Sequence, residues 1–306
     1  INALDVDMAL VRVNTDGSMD NSFGNGGIVI LALSNWFDQV GEIALQQDGK
    51  IVVAGLQGVQ NTNSNSNIPF ILRLNTDGSF DENFGSNRNG IVVQDFRDIY
   101  VQIRSLCILP DGKIIMGGEE DWIYGTQMAI FKYNSTGSLD ESFGNRGIME
   151  TNFEWGERDP NEFGSFYDIL VLPDGRLFCA GSTAYAKFLL CQFNADGSTD
   201  NSFGDGRGYV TYTNLPTYAY GRHAHLAKGD KILVFGTYFL ANGLDDGTGV
   251  YRFNNDGSLD SSFGTNGIAV SGFDDIGGLM SRRASAVQPD GKIVTGVSVY
   301  PDYDDE

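Results

Sequence analysis

Positive charge is scarce in this 306-residue chain. Its 20 Lys and Arg face 40 Asp and Glu, for a net charge of −20. Nucleic acid and anionic membrane surfaces both require a basic face, so neither is an expected partner. Cysteine is nearly missing: Cys107, Cys179 and Cys191 are an odd and sparse set, which excludes a disulfide framework and reads as buried free thiols. There are two histidines, His223 and His225, and no Cys/His cluster with metal-ligand spacing. No apolar run reaches the ~18 residues of a membrane helix, so membrane insertion is not expected. No stretch keeps a capped 3.6-residue period, so helix is expected to be minimal. Neither a G-x-S-x-G elbow nor a phosphate-binding P-loop occurs. The chain opens at Ile1 without Met or a signal-type segment, and reads as a trimmed piece of a longer product.

Glycine, by contrast, is abundant at 40 residues, as tight turns between short strands require. Many of these glycines belong to one phrase written five times, for example "LRLNTDGSFDENFG" from Leu72 to Gly85. Anchored on Gly17, Gly78, Gly137, Gly197 and Gly257, the copies are 61, 59, 60 and 60 residues apart. Six positions are identical in all five: Asn three before the Gly, the Gly itself, Ser one after, Asp three after, Phe six after and Gly seven after. A second phrase, such as "QQDGKIVVAG" or "LPDGKIIMGG", falls between the copies and places Asp-Gly between two apolar runs, the signal of a tight hairpin. The fourth copy reverses the pair as Gly229-Asp230.

One unit therefore reads as four strands, A to D. In the first full unit they fall near 41–47, 50–56, 70–75 and 90–96. Repeats of this size built of four short strands predict a β-propeller with one blade per repeat. The boundaries predicted are 34–96, 97–153, 154–214, 215–273, and 274–306 combined with 1–33. The fold class is thus all-β: a single domain, a five-bladed propeller of four-stranded antiparallel blades. The ring is expected to close by pairing N-terminal strands C and D with C-terminal strands A and B, which would remove an open edge. As an isolated domain the chain is expected to be a monomer.

The motif "LNxDGSxDxSFG" followed by "DGKIVVAG" resembles the delta-60 repeat, a β-propeller repeat family of bacterial, often secreted or surface-attached, proteins. The likeness covers nearly the whole chain; Thr136 in place of Asp and Asn83 in place of Ser depart from it in single copies. It implies a propeller and an extracellular or cell-surface setting of the bacterial envelope. It implies no activity.

In a four-stranded meander the A–B and C–D turns share one end of the blade, and the B–C and D–A loops share the other. Both repeated phrases thus occupy one face. There the Asn ends strand C, the Gly permits positive φ, the Asp accepts backbone N–H groups across the turn, and the Phe tucks between blades. Calcium is a sharper reading of the same oxygens, with Asp16, Asp20, Asp77, Asp81, Asp196, Asp200, Asp256 and Asp260 as weak candidate ligands. The misplaced Gly and the lack of a twelfth-position Glu favour turn chemistry, and no cofactor is expected.

Function belongs on the variable face, because loops on a rigid scaffold carry binding. Trp36, Trp122 and Trp155 fall there with Tyr124, Tyr218, Tyr220 and Tyr238. Aromatics beside carboxylates suit sugar rings or a protein hot spot. Where strand A leaves this face, aligned positions are polar and differ between blades: Gly41-Glu42, Arg104-Ser105, Tyr167-Asp168, Arg222-His223 and Arg283-Ala284. Arg104, Arg222 and His223 are ligand candidates. His223 and His225, two apart on one strand, should point to the same side. The reading is a non-catalytic binding scaffold for carbohydrate or protein. Alternatives are a glycoside hydrolase-like enzyme using Glu42 and Asp168, or a structural spacer.

Overall fold

The computed structural model describes residues 6–58, 67–94, 100–122, 125–151, 164–183, 188–212, 218–239, 246–272 and 279–299. The chain forms two compact units, Ile1–Asn152 and Phe153–Glu306. Among the described residues there are twenty strands and no helix.

The first unit begins with a hairpin of β1 (Met8–Val11) and β2 (Ile28–Leu31). Two four-stranded meanders follow. One is β3 (Gln39–Leu45), β4 (Ile51–Gly58), β5 (Asn67–Leu74) and β6 (Ile91–Val93). The other is β7 (Tyr100–Ile108), β8 (Ile114–Trp122), β9 (Gly125–Tyr133) and β10 (Ile148–Glu150). The second unit repeats the plan in the opposite order. Its meanders are β11 (Gly164–Val171), β12 (Leu177–Thr183), β13 (Phe188–Phe193), β14 (Tyr209–Tyr212), then β15 (Tyr218–Ala227), β16 (Lys231–Phe239), β17 (Asp246–Phe253), β18 (Ile268–Gly272). A hairpin of β19 (Leu279–Val287) and β20 (Ile293–Val299) ends it. Every pairing is antiparallel and between sequence neighbours. These are the four-stranded blades that the repeat predicts, with two-stranded sheets standing at the two ends of the chain.

Strands of a blade packed on both faces need not alternate. This explains β12, "LFCAGST", and β13, "FLLCQF", in which every residue is buried. Outer strands β6 and β10 shrink to three residues each, which limits exposed edge. In each meander the first strand is an edge, and it lies beside the first strand of its neighbour: β3 beside β7, β11 beside β15, β15 beside β19. Apolar side chains fill the seams between sheets. In the first unit Val52, Ile71 and Phe84 pack on Ile114, Met116 and Phe131. In the second, Phe178, Leu190 and Phe203 pack on Ile232, Val234 and Phe253.

The repeated Phe is the seam residue expected of it in four copies. Phe23, Phe84, Phe143 and Phe203 are at most 1% exposed. Phe263 departs, being only half-buried at the edge of a smaller cluster around Leu233, Phe235 and Val250.

Candidate functional site

The repeated turns decide which face is chemically open. The Asn side-chain amide donates to the Ser hydroxyl four residues on and to the next carbonyl: Asn75 reaches Ser79 Oγ at 3.0 Å and the Phe80 carbonyl at 3.2 Å. The first Asp of the phrase accepts from the Ser backbone and hydroxyl, as Asp77 does from Ser79 at 2.9 and 2.7 Å. Asp16, Asp196 and Asp256 do the same. These hydrogen bonds hold the Asp16 and Asp77 carboxyls below the usual carboxylate range, Ser18 and Ser79 being the leading causes.

The second Asp is a hub. One oxygen of Asp81 accepts the Asn83 N–H. The other receives two cations at 2.7 Å each: Lys50 from the A–B hairpin, and Arg73 from strand C. Asp81 is 2% exposed, and its pKa lies near 2: burial works against the charge, and Lys50, the Asn83 N–H and Arg73 outweigh it. Asp140 is held near 2 in the same way by Lys113 and Ser142 against burial. Asp20 pairs with Arg12, Asp200 with Arg176, and Asp260 with Arg252 and Lys231. The strand-C cation also caps the repeated Phe: Arg12 over Phe23, Arg73 over Phe84 and Arg252 over Phe263, each at 4.6 Å, and Lys132 over Phe143 at 5.4 Å.

The turn then crosses to the next blade. The N–H of Gly24 donates to the Asp77 carbonyl and that of Gly85 to the Thr136 carbonyl, both at 2.8 Å. Arg73 adds a bond to the Ser135 carbonyl at 2.5 Å, and Arg12 bonds the Thr76 carbonyl. The repeated Gly must therefore be Gly twice over. Gly137 has φ 90°, and a Cβ there would meet the Phe84 ring at 3.1 Å and the Gly85 nitrogen at 3.0 Å. The fourth copy is built differently, with Gln192 where the others carry Arg or Lys. Its amide is fully buried, and neither its nitrogen nor its oxygen has a hydrogen-bond partner among the described residues. In compensation the hairpin cation is Arg176, and the Tyr212 hydroxyl donates to the Gly257 carbonyl of the next blade. The Asp residues weighed as calcium ligands are thus held by their own serines, lysines and arginines.

The opposite end of the inner strands has a different chemistry. The first strand of every four-stranded sheet, and of the C-terminal hairpin, breaks register at one place: Val40/Glu42, Ile103/Ser105, Phe166/Asp168, Gly221/His223 and Met280/Ala284. A β-bulge re-aims side chains, and these bulges fall on the polar positions singled out from the sequence. What each bulge presents differs. Gly41 leaves room only for the neighbouring Ile103, since a Cβ would meet it at 3.0 Å, and Glu42 is exposed. Arg104 bonds Gln102 and pairs with the buried Glu119 at 3.1 Å. In the second unit the guanidinium of Arg222 lies 4.0 Å over the Tyr167 ring. Both oxygens of Asp168 accept backbone N–H groups, from Ile169 at 2.9 Å and from Ala224 of the next blade at 2.8 Å. His225 sits edge-on to Phe235 with its Nε2 3.1 Å from the Ser285 hydroxyl. Burial lowers its pKa against the pull of the Asp168 charge.

A family model described as a domain of unknown function (DUF5122) beta-propeller matches residues 5–23, 46–84, 109–143, 172–203 and 230–263, together over half of the chain. The chain belongs to the DUF5122 β-propeller family. The matched segments of this propeller hold the repeated turns and the hairpins at Asp48-Gly49, Asp111-Gly112 and Asp174-Gly175; bulge residues Gly41, Arg104, Tyr167 and Arg222 all lie outside them. No curated protein matches the chain. Among solved structures, a polysaccharide lyase PL25 ulvan lyase bound to -[GlcA(1-4)Rha3S]- is similar at 11% identity and TM-score 0.46. The match covers 82% of this chain and 59% of that one, so the DUF5122 propeller spans less than two thirds of the lyase's length. A hypothetical protein from Leishmania major is similar at 12% identity and TM-score 0.40, with 84% and 80% covered.

Of the aromatic candidates, Trp36 is half-buried in the loop between β2 and β3. That loop is braced by a residue the sequence reading missed. Asp38, 2% exposed, accepts from the Leu33 and Ser34 N–H groups, the Ser34 hydroxyl, and the Gly58 N–H at the far end of β4. Trp36 is thereby held at the B–C end of the blade, opposite the repeated turns. Trp122 ends β8, paired with Gly125; Tyr218 and Tyr220 lie on β15 and Tyr238 on β16. The side chains of these four, and the whole of Tyr124 and Trp155, lie outside the described residues.

Proposed function

We propose that this DUF5122 propeller is a non-catalytic binding scaffold of a bacterial secreted or cell-surface protein, a delta-60 repeat protein in its motif. Its ligand is a carbohydrate or a protein, and it binds at the end of the blades where the loops vary. The observation that carries this reading is the recurrent inner-strand bulge. One backbone device recurs in the first strand of every four-stranded sheet and of the C-terminal hairpin, and it carries a different residue pair each time. At the other end the polar groups are nearly the same in every copy and bonded to one another. Variation on a fixed frame is what recognition requires of a scaffold. Trp36, held by the Asp38 brace, supplies an apolar surface on the same side, with Trp122 and Trp155 as further candidates. Among the described residues no helix is long and apolar enough to cross a membrane.

The test is a glycan array and a surface-protein panel probed with the soluble chain, followed by calorimetry on each hit. Binding is expected to fall with Trp36→Ala and to persist with Ser79→Ala. If the triple Trp36, Trp122 and Trp155→Ala variant keeps full affinity while turn-face variants lose it without unfolding, the function lies on the other side of the blades. If nothing binds, the structural spacer is the better reading.

A further inference from the structure

Gln192 on β13 is fully buried, and neither atom of its amide has a hydrogen-bond partner among the described residues. A buried amide in this state costs free energy on both atoms, so it calls for a partner. Its backbone sits as that of Arg73 does in the second copy. The Gln192 N–H donates to the Gly208 carbonyl at 2.9 Å, and the Asp200 N–H donates to the Gln192 carbonyl at 3.0 Å. The matching bonds, from Arg73 N–H to Gly90 and from Asp81 N–H to Arg73, are 2.8 and 2.9 Å. The two side chains thus leave their strands on the same side, but a Gln stops where the Nε of an Arg would be. Beyond that point the terminal nitrogens of Arg12 and Arg73 reach a carbonyl of the next blade's turn, at Thr76 and Ser135. The same place in the turn after Gln192 belongs to Asn255, whose carbonyl accepts no hydrogen bond among the described residues. The charges agree. In the second copy Asp48, Lys50, Arg73 and Asp81 cancel. In the fourth, Asp174, Arg176, Gln192 and Asp200 leave one negative charge over, and Arg176 is divided between the two carboxylates at 2.7 and 2.8 Å.

We propose that the fourth turn binds a monovalent alkali cation, in the place where its sister turns carry a guanidinium or ammonium group. Its protein ligands are the amide oxygen of Gln192, a carboxylate oxygen of Asp200 and the carbonyl of Asn255. Carbonyl oxygens replace the hydration shell of such an ion, and a single positive charge restores the balance that the other copies have. Asp200 is buried, so its charge gains most from a fixed partner. Asn255 lies on the exposed side of the turn and leaves the ion a way in from solvent. A divalent or transition-metal ion calls for more carboxylate, imidazole or thiolate groups, and among the described residues no three of these gather. A water molecule would satisfy the same dipoles but not the charge, and unfolding in different salts separates the two.

The probes are KCl, NaCl and choline chloride at one ionic strength, so that screening of the net charge of −20 is the same in all three. Choline is too large for the turn and serves as the blank. In thermal melts of the whole chain, Tm is expected to be higher in the potassium or the sodium salt. The rise should be about 2–5 °C for an ion at roughly ten times its dissociation constant, and should level off as the site fills. The salt with the larger rise identifies the ion. Gln192→Arg supplies the charge covalently, so its Tm should be equal in the three salts and, in choline chloride, no lower than the parent's. Gln192→Met keeps the length of the side chain and removes the oxygen; it should also lose the preference, and it is the deciding variant if Gln192→Arg does not fold. Equal Tm of the parent in all three salts overturns the cation site and leaves a bridging water as the partner of Gln192. A salt preference that survives in Gln192→Arg or Gln192→Met puts the ion elsewhere and overturns it too.

Discussion

The Asp81 hub makes a quantitative claim about what joins the blade. Asp81→Asn removes the charge but keeps the shape. Two cations 2.7 Å from one oxygen lose their partner, and one of them, Arg73, is itself only 7% exposed. Breaking a buried pair by removing one partner costs about 3–5 kcal/mol, because the remaining charge is stranded. Protonation gives an independent lower figure. The folded pKa near 2, against an ordinary 3.8, is a depression worth about 2 kcal/mol at neutral pH. The sign follows: the stabilisation is complete above pH ~4 and is lost as pH falls through ~4 towards ~2. Urea unfolding at pH 7 should therefore show a loss of about 2–5 kcal/mol for Asp81→Asn, and the gap between variant and parent should close between pH 4 and 2. The double variant Asp81→Asn/Arg73→Gln should recover part of the loss, since Gln192 already occupies the Arg73 position in the fourth copy. A loss below ~1 kcal/mol, or a gap independent of pH, would refute the hub.

Three further outcomes are expected. Phe143→Ala should cost about 3–5 kcal/mol in denaturant unfolding, the range for emptying a buried Phe site, and the half-buried Phe263→Ala clearly less; equal costs would remove the seam role. Arg176→Met should destabilise more than Lys50→Met in thermal melts, because Asp81 keeps Arg73 while Asp200 faces Gln192 on strand C; the reverse order contradicts the compensation. Deleting residues 1–33 removes Met8, Leu10, Phe23 and Leu31 from the core they share with Val53, Phe70 and Leu72, and should cause aggregation or a large fall in Tm. A monomeric deletion variant with unchanged Tm would count against both that packing and the ring closure read from the repeat order.

What the sequence determined by itself is everything governed by neighbours along the chain. Asp-Gly between apolar runs is a hairpin because φ above zero is a property of the residue, and five in-register copies make the blade unavoidable. The i and i+2 bonds of Asp77 to Ser79 and of Asp81 to Asn83 are equally local. The polar pairs on strand A were legible as a column of unlike residues in an aligned repeat. That they sit on bulges was not, since a register shift depends on both strands of a pair. Nor was the hub. Lys50 meets Asp81 across 31 positions, and Arg73 meets the Ser135 carbonyl across 62. The hairpin lysine and the strand-C arginine look like ordinary surface charges until folding brings their turns together. Phe263 shows the same limit from the other side: it is identical in sequence to four buried copies and is half-exposed in the fold. Turn chemistry and alternation are written within a few residues, whereas burial, ion pairing and the meeting of Arg222 with Tyr167 were decided only when separate blades packed.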